Sequence, residues 1–127
     1  MPALVLCDVV SLGWTLLTLV VYVLACARLT RLINADTIVD PIRLAIERRA
    51  RDTRASTPER ARWSTFMYFT QCPWCVGFWL CLASAYLPVH LIGWPWWALF
   101  PVALAASHLV GVFAFAADTE DIEVLEE

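Results

Sequence analysis

Apolar residues along this chain form three long runs, and most polar residues lie between the first run and the second. The runs cover about residues 9–27, 73–92 and 96–117. No Asp, Glu, Lys or Arg occurs from Trp63 to Ala117. An α-helix of about 20 apolar residues crosses the hydrocarbon core of a bilayer, which is about 30 Å thick. The pattern therefore predicts an all-α integral membrane protein with three transmembrane helices.

The polar residues between the first two runs predict an amphipathic helical connection over residues 28–71. Asp40 followed by Pro41 is typical of a helix start, with Asp as N-cap and Pro as the first helical residue. Glu47 lies four residues from both Arg43 and Arg51, so it can pair with either on a helix surface. Two interpretations stay open: a solvated helix held by its own ion pairs, and an amphipathic helix lying on a membrane surface.

Charge sets the predicted orientation. All nine basic residues are Arg, and all lie between Arg28 and Arg62. Positive residues near span ends stay in the cytoplasm. We therefore predict a multi-pass membrane protein with the N-terminus outside and an acidic cytoplasmic tail at residues 118–127. The arginines alternate with acids beside apolar spans, which favours anionic lipid headgroups over nucleic acid as the partner.

A cleaved signal peptide is the competing interpretation of the first run. Ala25-Cys26-Ala27 resembles a cleavage site, but no basic segment precedes the run, and Asp8 stands where one would be. We expect the run to remain as a transmembrane helix.

Two closely spaced cysteines, Cys72 and Cys75, stand where the polar connection meets the second run. Pro73 suits the first turn of a helix, so Cys72 is predicted as its N-cap. A helix N-terminus stabilises a thiolate, and the Cys-x-x-Cys spacing suits redox exchange or half of a zinc site. Cys26 ends the first run on the same side and is the candidate third ligand. A packed helix start with no cofactor is the interpretation we favour, and a zinc site and redox exchange are the alternatives.

The second and third runs carry features of helix packing. Small residues recur at four-residue spacing, which lets helices approach closely. They are Gly77, Cys81 and Ala85 in the second run and Ala103, Ser107 and Gly111 in the third. His108 lies near the middle of the third run. It is an intramembrane polar residue that either has a function or hydrogen-bonds to a neighbouring helix.

Two blocks of sequence resemble the signatures of a known family. The first is Ala27-Arg28-Leu29-Thr30-Arg31-Leu32-Ile33 with Asp36-Thr37-Ile38 and Pro41-Ile42-Arg43, and the second runs from Cys72 to Trp79. They resemble a family of small, uncharacterised membrane proteins from actinobacteria, their phages and Bacillus, where some are linked to sporulation. The family has no assigned activity. The resemblance implies one cytoplasmic-face constellation, made of Arg28, Arg31, Asp36, Arg43, Cys72 and Cys75.

No phosphate-binding glycine loop, catalytic serine elbow or HExxH motif occurs, and the apolar runs hold no paired carboxylates. We therefore predict a non-enzymatic membrane subunit or adaptor. Its cytoplasmic face would bind anionic lipid and a membrane or cytoplasmic protein partner, or a second copy. One alternative is a holin-like pore former of a phage or prophage. The other is a thiol redox or metal-handling protein that uses the two cysteines.

Overall fold

The computed structural model describes the backbone of residues 2–126 and the side chains of residues 7–119. Within these residues the fold is all-α, which confirms the predicted class, and no strand is present. The helices are α1 (Pro2–Asn34), α2 (Asp40–Ala50), α3 (Thr57–Gln71), α4 (Pro73–Ser84), α5 (Tyr86–Ile92) and α6 (Leu99–Glu126). Short 3₁₀ turns at Thr37–Val39 and Trp96–Ala98 precede α2 and α6. Most of the predicted acidic tail, from residue 120 onward, has its side chains outside the described residues.

Two segments are long and apolar enough to cross a membrane, namely Cys7–Asn34 and Trp96–Thr119. The bent pair α3–α4 makes a third if it is counted as one span. Large apolar side chains cover the outer faces of these helices, and Leu17 and Phe115 are 57% and 71% exposed. Such extensive apolar exposure suits contact with lipid. The chain is thus a helical protein with two to three candidate spans, and its composition indicates a membrane location.

A break in the helical chain separates α1 from α2. α1 continues to Asn34, where the backbone N–H groups of Ala35 and Asp36 both donate to the carbonyl of Arg31, at 2.8 and 3.2 Å. The prediction of Asp40 as N-cap is wrong, because Val39 holds that position and Asp40 is already helical. The Asp40 carboxylate pairs with the side chain of Arg43 instead.

α3 and α4 meet at an 80° bend with Cys72 alone between them. The cause is local. A residue before proline avoids the helical conformation, and Cys72 accordingly has φ −92° and ψ 107° before Pro73. The two helices therefore point in nearly perpendicular directions.

The segment predicted as one span over residues 73–92 forms two helices, α4 and α5, divided at Ala85. Pro88 explains the division, because it has no N–H to donate to the carbonyl of Ser84 four residues earlier. Gly93 ends α5 in the left-handed conformation, at φ 80°, and its N–H donates to the carbonyls of Val89 and His90. This C-terminal cap explains the tight turn into α6.

α1, α4 and α6 pack together into the bundle that holds the core. All six small residues of the predicted packing ridges are buried. A Cβ at Gly77 would lie 3.0 Å from Cγ1 of Val110, and one at Gly111 would lie 2.5 Å from the ring of Trp74. The close approach of α4 and α6 thus depends on glycine at these two positions.

Candidate functional site

The arginine end of the bundle is made by the end of α1, the start of α4 and the last described turns of α6. Arg28 and Asp36 form an ion pair there, with Nη2 and Oδ2 2.8 Å apart. Arg43 of α2 reaches back and donates from Nη2 to the carbonyls of Ile33 and Asp36, at 3.0 and 3.4 Å. Its Nη1 lies 3.1 Å from Asp40. Three of the four arginine and aspartate residues of the predicted constellation therefore meet at the α1–α2 turn.

Arg31, the fourth of these residues, plays a different part. Its carbonyl accepts the two backbone bonds that end α1, while its side chain is exposed. Next to it, Asn34 donates from Nδ2 to the carbonyl of Thr70 at 2.8 Å. This bond fastens the end of α1 to the end of α3. We did not single out Asn34 from the sequence, although a polar residue at a helix C-terminus was an available signal.

α2 and α3 pack on each other as a helical hairpin beside this turn, which we call the arginine hairpin (residues 40–71). Glu47 pairs with Arg51 at 2.6 Å and not with Arg43, because Arg43 is engaged at the α1–α2 turn. The guanidinium of Arg49 lies 5.2 Å from the centre of the Trp63 ring, a cation–π contact between the two helices.

Cys72 occupies the N-cap of α4, as predicted, and its Sγ accepts a hydrogen bond from the backbone N–H of Cys75 at 3.4 Å. Both side chains are partly exposed. A hydrogen bond from the Cys75 thiol is the main cause that lowers the pKa of Cys72, which lies just before α4. The arrangement can hold a thiolate at Cys72.

Cys26 lies away from that pair, in a buried polar cluster between α1 and α4. Tyr22 donates to the carbonyl of Cys81 at 2.5 Å, and Sγ of Cys26 lies 3.6 Å from Oγ of Ser84. Ser84 comes nine residues after Cys75, which corresponds to about 13 Å along a helix. Among residues 7–119 no group of three or more His, Cys, Asp or Glu side chains could hold a metal ion.

The cluster is closed by bonds to the backbone. Thr30 donates to the carbonyl of Cys26 at 2.8 Å, and Ser84 donates to that of Leu80 at 2.6 Å. Tyr22 belongs to this cluster and was missed from the sequence. A lone tyrosine inside an apolar helix was the signal, because a buried hydroxyl needs a partner.

His108 is exposed on α6, where its ring centre lies 5.8 Å from that of Trp74. No hydrogen bond to its imidazole is present among the described residues. Ser107 donates to the carbonyl of Leu104 in its own helix. The imidazole therefore lies on the outside of the bundle, against an aromatic ring.

Residues 21–117 match the family described as "Protein of unknown function (DUF1360)". The chain belongs to this family. No curated protein and no solved structure matches the chain.

The DUF1360 match confirms the resemblance to an uncharacterised family. It extends from the buried cluster at Tyr22 to the end of the apolar run at Ala117, and so includes the arginine hairpin and the Cys72–Cys75 pair. The first part of α1 and residues 118–127 fall outside it. Because the DUF1360 description assigns no activity, a functional proposal depends on geometry and charge.

Proposed function

We propose that this protein is a three-span, non-enzymatic membrane subunit or adaptor of a bacterial cytoplasmic membrane. In this proposal α1, the α4–α5 segment and α6 cross the bilayer. The arginine hairpin lies on anionic headgroups at the cytoplasmic side and presents a surface to a protein partner. The N-terminus is outside and the C-terminus inside. The bacterial setting rests on the resemblance to proteins of actinobacteria, their phages and Bacillus.

The observation that carries the proposal is the 80° bend between α3 and α4. If α4 runs along the membrane normal with the bundle, α3 must run almost parallel to the membrane plane. α2 packs on α3 and is therefore held near the same plane. An arginine-bearing helix in that position is typical of interfacial helices.

The exposed side chains of this region support an interfacial position. Five exposed arginines lie outside the three ion pairs found among the described residues: Arg31, Arg48, Arg49, Arg54 and Arg62. Apolar side chains remain exposed beside them, with Ile42 60% and Tyr68 74% accessible. Arginine near an anionic leaflet contributes about 1 kcal/mol per residue to binding. The positive-inside rule places the same arginines in the cytoplasm.

The buried polar groups support a structural role for the bundle over a catalytic one. The hydroxyls of Tyr22, Thr30 and Ser84 are all engaged with backbone carbonyls or with each other. Groups satisfied in this way hold helices together and are not free to act on a substrate.

Thermal unfolding of the full-length protein in detergent tests the lipid part. We expect added phosphatidylglycerol to raise Tm more than added phosphatidylcholine, because an anionic ligand of the folded state stabilises it by mass action. The variant Arg48→Gln/Arg54→Gln/Arg62→Gln should lose that difference. Glu59→Gln, which removes one exposed acid of the same region, is the opposite-charge control. It should keep or increase the difference between the Tm shifts caused by the two lipids. Equal Tm shifts with both lipids in the wild-type protein would contradict the proposal.

A photo-crosslinking residue at Ile42 tests the partner part in native membranes. We expect a discrete protein adduct, which mass spectrometry would identify as another protein or as a second copy. The matched control is the same residue at Leu17, an exposed apolar position on α1 that should crosslink to lipid. Identical adducts from both positions would remove the arginine hairpin as the docking surface.

A thiol function at Cys72 and Cys75 is the second candidate, favoured by the hydrogen bond that joins the pair. Titration with a glutathione redox buffer should then convert these two thiols reversibly into one disulfide, as two glutathione thiols form from one glutathione disulfide. Cys26→Ser/Cys81→Ser should leave the transition unchanged. Failure to form a disulfide between residues 72 and 75 would exclude redox exchange.

A further inference from the structure

A cavity of about 410 Å³ opens at the arginine end, between α1, the start of α4 and α6. This volume lies within the range of small-molecule sites in proteins, about 300–1,000 Å³. Its walls come from the same ends of all three bundle helices. In a bilayer it would therefore lie at headgroup depth.

The mouth of the cavity carries both signs of charge. Arg28 and Arg31 line it from α1, and Asp118 lines it from α6. Arg28 is already paired with Asp36, whereas Arg31 takes part in none of the ion pairs found among residues 7–119. The mouth thus offers donors for an anion together with acceptors for a cation.

The inner wall of the cavity is apolar. Val110, Phe113 and Ala114 line it along α6 before Asp118. The eight residues from Val110 to Asp118 correspond to about 12 Å of helix. Polarity therefore changes along the bundle axis, from charged at the helix ends to hydrocarbon-like further in, as it does along a phospholipid molecule.

We propose that this cavity binds one membrane phospholipid whose headgroup carries a phosphate and a primary ammonium, as in phosphatidylethanolamine. Arg31, with Arg28, receives the phosphate. The Asp118 carboxylate accepts hydrogen bonds from the ammonium. An acyl chain lies against Phe113 and Ala114. The proposal rests on the membrane insertion proposed above and does not depend on charge-driven binding by the arginine hairpin.

The two polar ends of the site predict a ranking of headgroups. A choline headgroup has no N–H to donate to Asp118. Phosphatidylglycerol carries a net negative charge, so the Asp118 carboxylate repels its headgroup. Phosphatidylethanolamine should therefore bind more tightly than phosphatidylcholine or phosphatidylglycerol.

Native mass spectrometry of the full-length protein, titrated separately with each of the three lipids, tests this ranking. We expect one phosphatidylethanolamine per chain and about tenfold weaker binding by Arg31→Gln, because a charge-assisted hydrogen bond is lost. Asp118→Asn should weaken the binding of phosphatidylethanolamine and strengthen that of phosphatidylglycerol. A loss of folding would not produce this exchange of preference. Asp8→Asn removes an exposed carboxylate of α1 that does not line the cavity, so it is the matched control for Asp118→Asn and should bind like the wild type.

Three results would overturn the inference: equal binding of the three lipids, equal changes in Asp118→Asn and Asp8→Asn, or binding of soluble glycerophosphoethanolamine as tight as that of the lipid. The two proposals fail separately. A wild-type protein that selects phosphatidylethanolamine but shows no phosphatidylglycerol effect on Tm would contradict the surface proposal alone. The reverse combination would contradict the cavity alone.

Discussion

The bundle of α1, α4 and α6 and the arginine hairpin are held together by different forces. In the bundle, glycines and small residues let helices touch, and a Cβ at Gly111 would lie 2.5 Å from the Trp74 ring. In the arginine hairpin, guanidinium groups bind a carboxylate, an aromatic ring and backbone carbonyls at a largely exposed surface. The bundle is therefore specified by shape and the arginine hairpin by charge. Substitutions of equal size should have unequal effects in the two regions.

The largest loss of stability is expected from Gly111→Ala. The added methyl group displaces the Trp74 ring, and overpacking of this kind costs about 3 kcal/mol at its upper range. Gly13→Ala is the matched control, because nothing lies within 4 Å of a Cβ there. It should be neutral or slightly stabilising. Unfolding titrations in mixed micelles measure both, and equal effects would mean that α4 and α6 do not approach closely.

Arg43→Gln should have the next largest effect and lower the free energy of unfolding by about 2 kcal/mol. A short amide cannot replace the charge-assisted hydrogen bonds that close the α1–α2 turn. Arg48→Gln removes an arginine of the same helix that takes part in none of the three ion pairs, and it should change stability little. The same titrations compare the two. If both variants unfold alike, Arg43 does not fasten the arginine hairpin to the bundle.

Tyr22→Phe should destabilise the bundle by about 1 kcal/mol, since it removes the hydrogen bond between α1 and the carbonyl of Cys81. Tyr68→Phe removes a hydroxyl of the arginine hairpin from a side chain that is 74% exposed, and it should have no measurable effect. A loss for Tyr68→Phe equal to that for Tyr22→Phe would contradict the distinction between the two regions.

The smallest effect is a shift in reactivity at Cys72, where the two regions meet. Hydrogen bonding by Cys75 lowers the pKa of Cys72, so more thiolate is present at neutral pH than for an ordinary cysteine. Alkylation should reach half of its maximal rate at a lower pH than for a free thiol. Cys75→Ala should move that midpoint upward. An unchanged midpoint would show that Cys75 does not act on Cys72.

The sequence predicted the parts of the fold that follow from local rules. Helix class and the N-cap at Cys72 both depend on neighbouring residues. It did not predict the contacts made between distant elements. Arg43 is drawn to Ile33 and Asp36 by the fold of the α1–α2 turn, and the Glu47 pairing follows from that.

The candidate site shows the same limit. The arginines could be selected from their positions near a span end, whereas the cavity that Arg28 and Arg31 line is also lined by Asp118 of α6. That arrangement follows only from the packing of the bundle. Likewise, Cys26 looked like a partner of the Cys72–Cys75 pair until its neighbours proved to be Tyr22 and Ser84.

The central claim is that the arginine hairpin lies on the cytoplasmic side of a three-span bundle. Single-cysteine accessibility tests it most directly, with the native cysteines replaced by Ser. In intact cells a membrane-impermeant maleimide should label Trp94→Cys, in the turn between α5 and α6, and leave Ala55→Cys, in the loop between α2 and α3, unlabelled. Inverted membrane vesicles should give the reverse. Labelling of Ala55→Cys in intact cells would contradict the account.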